Sequence, residues 1–360
     1  MRFELNRLVR KNIRGLKPYS SARSEFSGSA GIFLDANENS FGSPVGNGLN
    51  RYPDPLQLEL KRRIAEMNQI ARDQIFVGSG SDEAIDLLFR IFCEPGQDNV
   101  IICPPTYGMY EVSAAINDVE TVKIQLTLDF QLNTDEVLAA VSARTKLVFI
   151  CSPNNPTGNL MDRRAIIEIA ERIDGIVVVD EAYIHFASQP SLLSELGRLP
   201  NLVVLQTFSK AWGMAGLRVG TAFAGPAIIE LFNRVKPPYN LGTPPQKAVF
   251  DALSDPAWME KRVRQIREER SALEKRLKKL PIVQKVFPSD ANFILVKIQN
   301  ANAVYEELVR RAIVVRNRSS VELCSGCLRI TVGTPEENDA LLSELNRFVL
   351  EQSKEAGVLV

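Results

Sequence analysis

Between about residue 74 and residue 250, short apolar runs of strand length alternate with segments of helical periodicity, and that alternation constrains this chain more than any other feature. The runs are Gln74 to Val77, Asn99 to Cys103, Lys146 to Cys151, Gly175 to Val179, Leu202 to Gln206 and Val219 to Phe223. They are apolar at successive positions, as in strands covered on both faces. The expected core is therefore α/β, a largely parallel sheet between helices.

The pattern changes near residue 260. The highly charged stretch Met259 to Leu280 carries Val263, Ile266, Leu273 and Leu277 at near-helical spacing and reads as one long, half-exposed helix. Beyond it, Phe293 to Val296, Ala312 to Val315 and Leu328 to Val332 read as strands, with a helix between the first two and another after the last. The expected organisation is an N-terminal arm (1–30), a large domain (31–265) and a smaller α+β domain (266–360).

Charge narrows the function classes. Lys+Arg and Asp+Glu are both 43, so no global field favours nucleic acid, and no apolar run approaches a membrane span. Six Lys or Arg against one Glu mark the first twenty residues, but no apolar core region or small-residue cleavage site follows, so this segment reads as an amphipathic arm. Cysteines 93, 103, 151, 324 and 327 are odd in number, which suits a reducing, cytoplasmic setting better than a disulfide scaffold. No second pair or histidine cluster joins Cys324 and Cys327 to complete a metal site.

In an open parallel sheet, ligands gather beyond the carboxyl ends of the strands. The first expected strand runs into "GSGSDEAIDLLFR", where backbone N–H groups near Gly80, Ser81 and Asp82 can cradle an anion at a helix start. The next ends in "PPTYG", which offers the face of Tyr107 to a planar ligand. The third ends in "SPNNPTG" and presents Asn155, and the fourth ends at Asp180 with Tyr183 three residues on. The fifth delivers Thr207, Ser209 and Lys210, with Arg218 eight residues later. Two hydroxyls, a guanidinium and free N–H groups make a phosphomonoester cradle. A lysine beside it suits a planar phosphorylated aldehyde such as pyridoxal 5'-phosphate, with Asp180 holding the pyridine nitrogen protonated and Asn155 and Tyr183 bonding the ring hydroxyl. The single histidine, His185, reads as a packed or hydrogen-bonded structural side chain.

Asn155-Pro-Thr-Gly, Asp180-Glu-Ala-Tyr183 and Ser209-Lys210 with Arg218 downstream resemble, in order and spacing, the fold-type I aminotransferases. Five further segments, "PYSSAR" (18–23), "DANENSFG" (35–42), "NRYPDP" (50–55), "CPPTYGMY" (103–110) and "CLRITVGTPEEN" (327–338), resemble the histidinol-phosphate aminotransferases, so the likeness covers nearly the whole chain. One departure is Ser40, where that family often has proline.

The resemblance implies a mostly parallel seven-stranded sheet, a smaller C-terminal domain and pyridoxal 5'-phosphate as cofactor. It implies amino transfer between L-histidinol phosphate and 2-oxoglutarate, giving imidazole acetol phosphate and glutamate, in histidine biosynthesis. Lys210, Asp180, Tyr183 and Asn155 would be the catalytic set. It further implies a homodimer in which Tyr52 reaches the neighbouring subunit's cofactor phosphate. Arg329 would hold the carboxylate of glutamate, and Tyr19, Arg23, Asn37 and Arg316 would line the substrate pocket. An aromatic amino acid aminotransferase and a threonine-phosphate decarboxylase of the same fold stay open as alternatives. A non-catalytic sensor built on this fold is disfavoured, because the catalytic groups are all present and no helix-turn-helix segment precedes the core.

Overall fold

The computed structural model describes residues 3–19, 32–46 and 48–355. The larger sheet comprises β1 (Ile75–Ser79), β2 (Asn99–Ile102), β3 (Glu120–Lys123), β4 (Thr145–Cys151), β5 (Ile176–Asp180), β6 (Leu202–Thr207) and β7 (Val219–Ala224). Their spatial order is β1-β7-β6-β5-β4-β2-β3. All neighbouring pairs are parallel except those made by β7, which runs antiparallel to both β1 and β6. The six expected strands are present. The seventh, β3, escaped sequence reading because it is an edge strand whose residues are all exposed or half-buried, so it carries no apolar run.

Both faces of this sheet are covered. Along β5, Val177 and Val179 enter one apolar cluster while Ile176 and Val178 enter the other, and β6 divides Leu202 and Val204 from Val203 and Leu205 in the same way. Leu8, Val9 and Ile13 of the arm are buried in the second cluster, against the large-sheet core.

The smaller sheet has the order β10-β11-β9-β8, all antiparallel, from β8 (Val283–Val286), β9 (Phe293–Ile298), β10 (Arg316–Asn317) and β11 (Cys327–Thr331). The strand expected at Ala312 to Val315 does not form. Ala312 adopts φ 59° just after the helix Ala301–Arg310, and that left-handed turn delays pairing to Arg316 and Asn317. β8 was not anticipated; half of its residues face solvent.

Between the sheets runs the helix Pro256–Leu277, started by proline in its first turn and by the Asp255 carboxylate accepting from Trp258 N–H at 3.3 Å. Met259 and Val263 are buried with the larger sheet's core, Leu273 and Leu277 with the smaller one. The expected division at residue 265 lies inside this shared helix.

Candidate active site

A cavity of about 150 Å³ opens beyond the carboxyl ends of the central parallel strands. Ser81, Asp82, Tyr107, Asn155, Asp180, Tyr183, Thr207, Ser209, Lys210 and Arg218 all line it. Ten expected residues from distant segments thus meet in one place, each carried there by a strand end or the turn after it.

The end of the cavity expected to hold an anion is shaped by two glycines. Gly80 has φ +76°, and a Cβ there would lie 2.8 Å from Arg218 Nη2. Gly220 on β7 brings its backbone so close that a Cβ would sit 2.2 Å from Ser81 N. This close approach turns the start of the helix Gly80–Phe92 toward the cavity, and no side chain caps that helix. Arg218 Nη1 reaches Ser209 Oγ at 3.4 Å, and Thr207 Oγ1 lies 3.0 Å from the same hydroxyl. Arg218 Nη2 also meets the Asp82 carboxylate at 3.3 Å, which receives the Tyr107 hydroxyl at 3.1 Å. A pre-assembled set of donors in a pocket that a single Cβ would obstruct fits a phosphate.

Asp180 is buried at the end of β5. Burial pushes its carboxyl up to about 6, against the opposing pull of the Tyr110 hydroxyl, which donates to Oδ2 at 2.8 Å, and of Ala182 N–H, which donates to Oδ1 at 3.1 Å. Tyr110 was not singled out from sequence. It lies three residues after Tyr107, and its ring, stacked on Phe149 at 4.8 Å, reads as core. The neighbouring acid has a different setting: Glu181 accepts from Ser191, Leu192 N–H and Gln206, and braces the loop after β5.

Lys210 is half-buried, its Nζ 5.7 Å from the centre of the Tyr183 ring. Its pKa is lowered, first by burial, then by the Arg329 and Arg218 guanidiniums, with Asp180 opposing. Burial and Arg329 contribute more than Arg218.

Asn155 sits in a braced loop. The buried Asn154 donates to Pro105 O at 2.8 Å and to Thr157 Oγ1 at 2.7 Å, which leaves Asn155 turned toward the cavity. Its Oδ1 accepts from Arg329 Nη1 at 2.5 Å, a contact that ties the smaller sheet to the larger. Arg329 also lies over the Phe293 ring at 5.2 Å.

Arg329 and Arg316 line an adjoining space of about 480 Å³, shared with Tyr107, Asn155, Tyr183 and Lys210. Arg318, unanticipated from sequence, lines it too. Three expected side chains do not reach either cavity within one chain. Tyr52 is half exposed and stacks on Tyr239 at 4.3 Å; Tyr19 is exposed beside Arg14 and Lys17; Asn37 is exposed with φ 55°. Arg23 lies outside the described residues. His185, whose burial lowers its pKa to about 4, sits apart with Phe208 and Trp212.

Among the described residues no helix is long and apolar enough to cross a membrane. The family profile of aminotransferase class I and II matches residues 36–345. The histidinol-phosphate aminotransferase of Parabacteroides distasonis is 53% identical over 347 residues, covering 96% of this chain and 99% of that one. Its counterpart in Cytophaga hutchinsonii is 51% identical, covering 97% of this chain and all of that one. In three dimensions, the chain is similar to the histidinol-phosphate aminotransferase of Sinorhizobium meliloti in complex with pyridoxal-5'-phosphate, with TM-score 0.79, 23% identity and coverage of 88% and 90% of the two chains.

Proposed function

Because this chain belongs to the class I and II aminotransferases, and among them to the histidinol-phosphate aminotransferases, we propose that it exchanges an amino group between L-histidinol phosphate and 2-oxoglutarate in histidine biosynthesis. The observation that carries this reading is that Lys210 lines two adjoining spaces, one shared with Arg218 and the other with Arg316 and Arg329.

Pyridoxal 5'-phosphate, when bound, supplies an aldehyde that takes up the amino group and a ring that disperses charge from the reacting carbon. The residues then divide the remaining tasks. Gly80, Ser81 and Asp82 N–H groups, Thr207, Ser209 and Arg218 would hold the phosphate. Tyr107 would offer its face to the ring, Asn155 and Tyr183 would bond its hydroxyl, and the Asp180 carboxylate would keep its nitrogen protonated. Lys210 would hold the cofactor's aldehyde carbon and, as a neutral amine, would move the proton at the substrate carbon. Its lowered pKa supports that last role, since an amine must be unprotonated to accept a proton.

Arg329 serves both half-reactions, because a guanidinium fork accepts two oxygens from carboxylate or phosphate alike. Arg316 serves the phosphate end, and the family resemblance assigns Tyr19, Arg23 and Asn37 to the same task. The exposure of Tyr52 and Tyr19 on a single chain supports a homodimer, in which Tyr52 of each copy reaches the other's cofactor phosphate. A biosynthetic role and five free cysteines suit the cytoplasm.

Transfer assays with purified enzyme test the reading. Histidinol phosphate with 2-oxoglutarate should turn over far faster than phenylalanine or threonine phosphate. Preferred turnover of phenylalanine, or release of carbon dioxide from threonine phosphate, would assign the alternative chemistry.

A further inference from the structure

Resting on that reading, we infer that Arg318 is a third guanidinium of the substrate anion site, and that it selects a phosphate ester over a carboxylate. The ladder between β10 and β11 sets Arg316 directly opposite Arg329. Arg318 extends the ladder by one step, its N–H donating to Cys327 O at 2.9 Å, while its own carbonyl accepts from Val321 N–H at 2.9 Å. Residues two apart on extended backbone share a face. Arg316 and Arg318 therefore project on the same side, and all three guanidiniums border the space that contains Lys210.

Like charges placed side by side destabilise a sheet, yet no carboxylate lines this space. Elsewhere in the same part of the chain the arginines are paired: Arg310 and Arg311 with Glu307, and Arg347 with Glu344. Among the described residues Arg316, Arg318 and Arg329 have no such ion pair. Moreover, Arg318 Nε and Arg329 Nε are both buried without a hydrogen-bond acceptor. Burial lowers the pKa of each, and each feels the charge of Arg316, so their ionised forms go uncompensated in the ligand-free chain. A buried donor left unpaired is costly, and an arriving anion offsets that cost.

The number of cations decides which anion. One guanidinium fork saturates a carboxylate, and Arg329 is already close enough to Asn155 to present that fork beside the reacting centre. A phosphate monoester near neutral pH has three terminal oxygens and close to two negative charges. It can engage Arg329 and Arg316 and still accept from Arg318, which is more buried than Arg316. Arg318 therefore strengthens the phosphate half-reaction and leaves the glutamate half-reaction nearly untouched.

The test uses cofactor-loaded wild type, Arg318→Gln and Arg318→Lys. Thermal melts confirm that each variant folds, and the lysine form separates loss of charge from loss of the planar fork. Single-turnover kinetics should show a KM for histidinol phosphate raised roughly ten-fold or more in Arg318→Gln, with glutamate changed by less than about three-fold. Calorimetric titration with inorganic phosphate, which needs no turnover, should show weaker binding in Arg318→Gln and partial recovery in Arg318→Lys. Equal losses for both substrates, or phosphate binding indifferent to the substitution, would overturn the inference. If histidinol phosphate proved not to be the substrate, the phosphate titration would still decide the role of Arg318.

Discussion

The Tyr110 hydroxyl donates to Asp180 Oδ2 at 2.8 Å, from a ring that is itself fully buried. Tyr107, Cys151 and Tyr183 also face this carboxylate, and Asp82 and Lys210 act on it through their charges. Of these, Tyr110 makes the side-chain hydrogen bond that opposes burial most. Asp180 titrates near 6 in the folded, cofactor-free chain, above its ordinary 3.8. The sign follows: the protonated acid contributes stability that is complete below about pH 4 and is lost as pH rises through about 6. Tyr110→Phe removes a hydrogen bond to a charged group and should carry the midpoint upward toward neutrality. Cofactor binding to the apoenzyme at pH 7 should weaken about two-fold, because about half of the acid then carries a proton that must first be lost. Binding measured by fluorescence from pH 5 to 8, with Asp180→Asn as the reference lacking this titration, would show the displaced midpoint; an unmoved midpoint would refute it.

Lys210→Ala should fold and bind the cofactor non-covalently through the Arg218 cradle, yet lose transfer by about a thousand-fold or more, since the proton carrier is gone. In wild type, borohydride reduction followed by peptide mapping should leave the label on Lys210. Recovery of the label on another lysine would reassign the site.

Gly80→Ala places a Cβ 2.8 Å from Arg218 Nη2 on a residue with φ +76°. The left-handed backbone alone costs about 1–2 kcal/mol. The displaced guanidinium should also lower cofactor affinity, so urea midpoints and cofactor titrations should fall together. Wild-type affinity would show that this turn does not shape the cradle.

Arg329→Lys keeps a charge but loses the planar fork that reaches Asn155. Both half-reactions should slow by about ten-fold, whereas Arg316→Ala should impair chiefly the phosphorylated substrate. Stopped-flow traces of the two half-reactions separate the cases. Equal losses in the Arg316 variant would remove its phosphate-selective role.

His185 is held neutral by burial, its pKa lowered to about 4 from 6.5. Its neutral form contributes stability that is present above pH 6.5 and is lost as pH falls toward 4. In His185→Gln the fall in melting temperature between those pH values should be shallower, while the pH profile of kcat stays as in wild type. An altered kcat profile would give the imidazole a part in the chemistry.

The strand ends were legible because a sheet covered on both faces writes its strands as apolar runs, and the polar residue that ends each run marks the ligand side. Asp180 after Val177, Val178 and Val179 is the plainest case. What escaped depends on contacts across the chain. Nothing local distinguishes Tyr110 from a core tyrosine; its hydroxyl matters only because β5 brings Asp180 to it from seventy residues away. Arg318 belongs to no apolar rhythm, and its place follows from a ladder step to Cys327. The strand misassigned to Ala312–Val315 has the right composition, but a single left-handed residue moved the pairing onward.

The helix Pro256–Leu277 is anchored near its start in one core and near its end in the other. At 22 residues it is a rod of about 33 Å. The three arginines ride on the strands of the small sheet or the turn after them, whereas Lys210 and the Arg218 cradle follow strands of the larger one. The smaller core holds fewer side chains and should soften first on warming. Heat should therefore blunt the enzyme's discrimination between substrates at temperatures where the cofactor is still firmly retained.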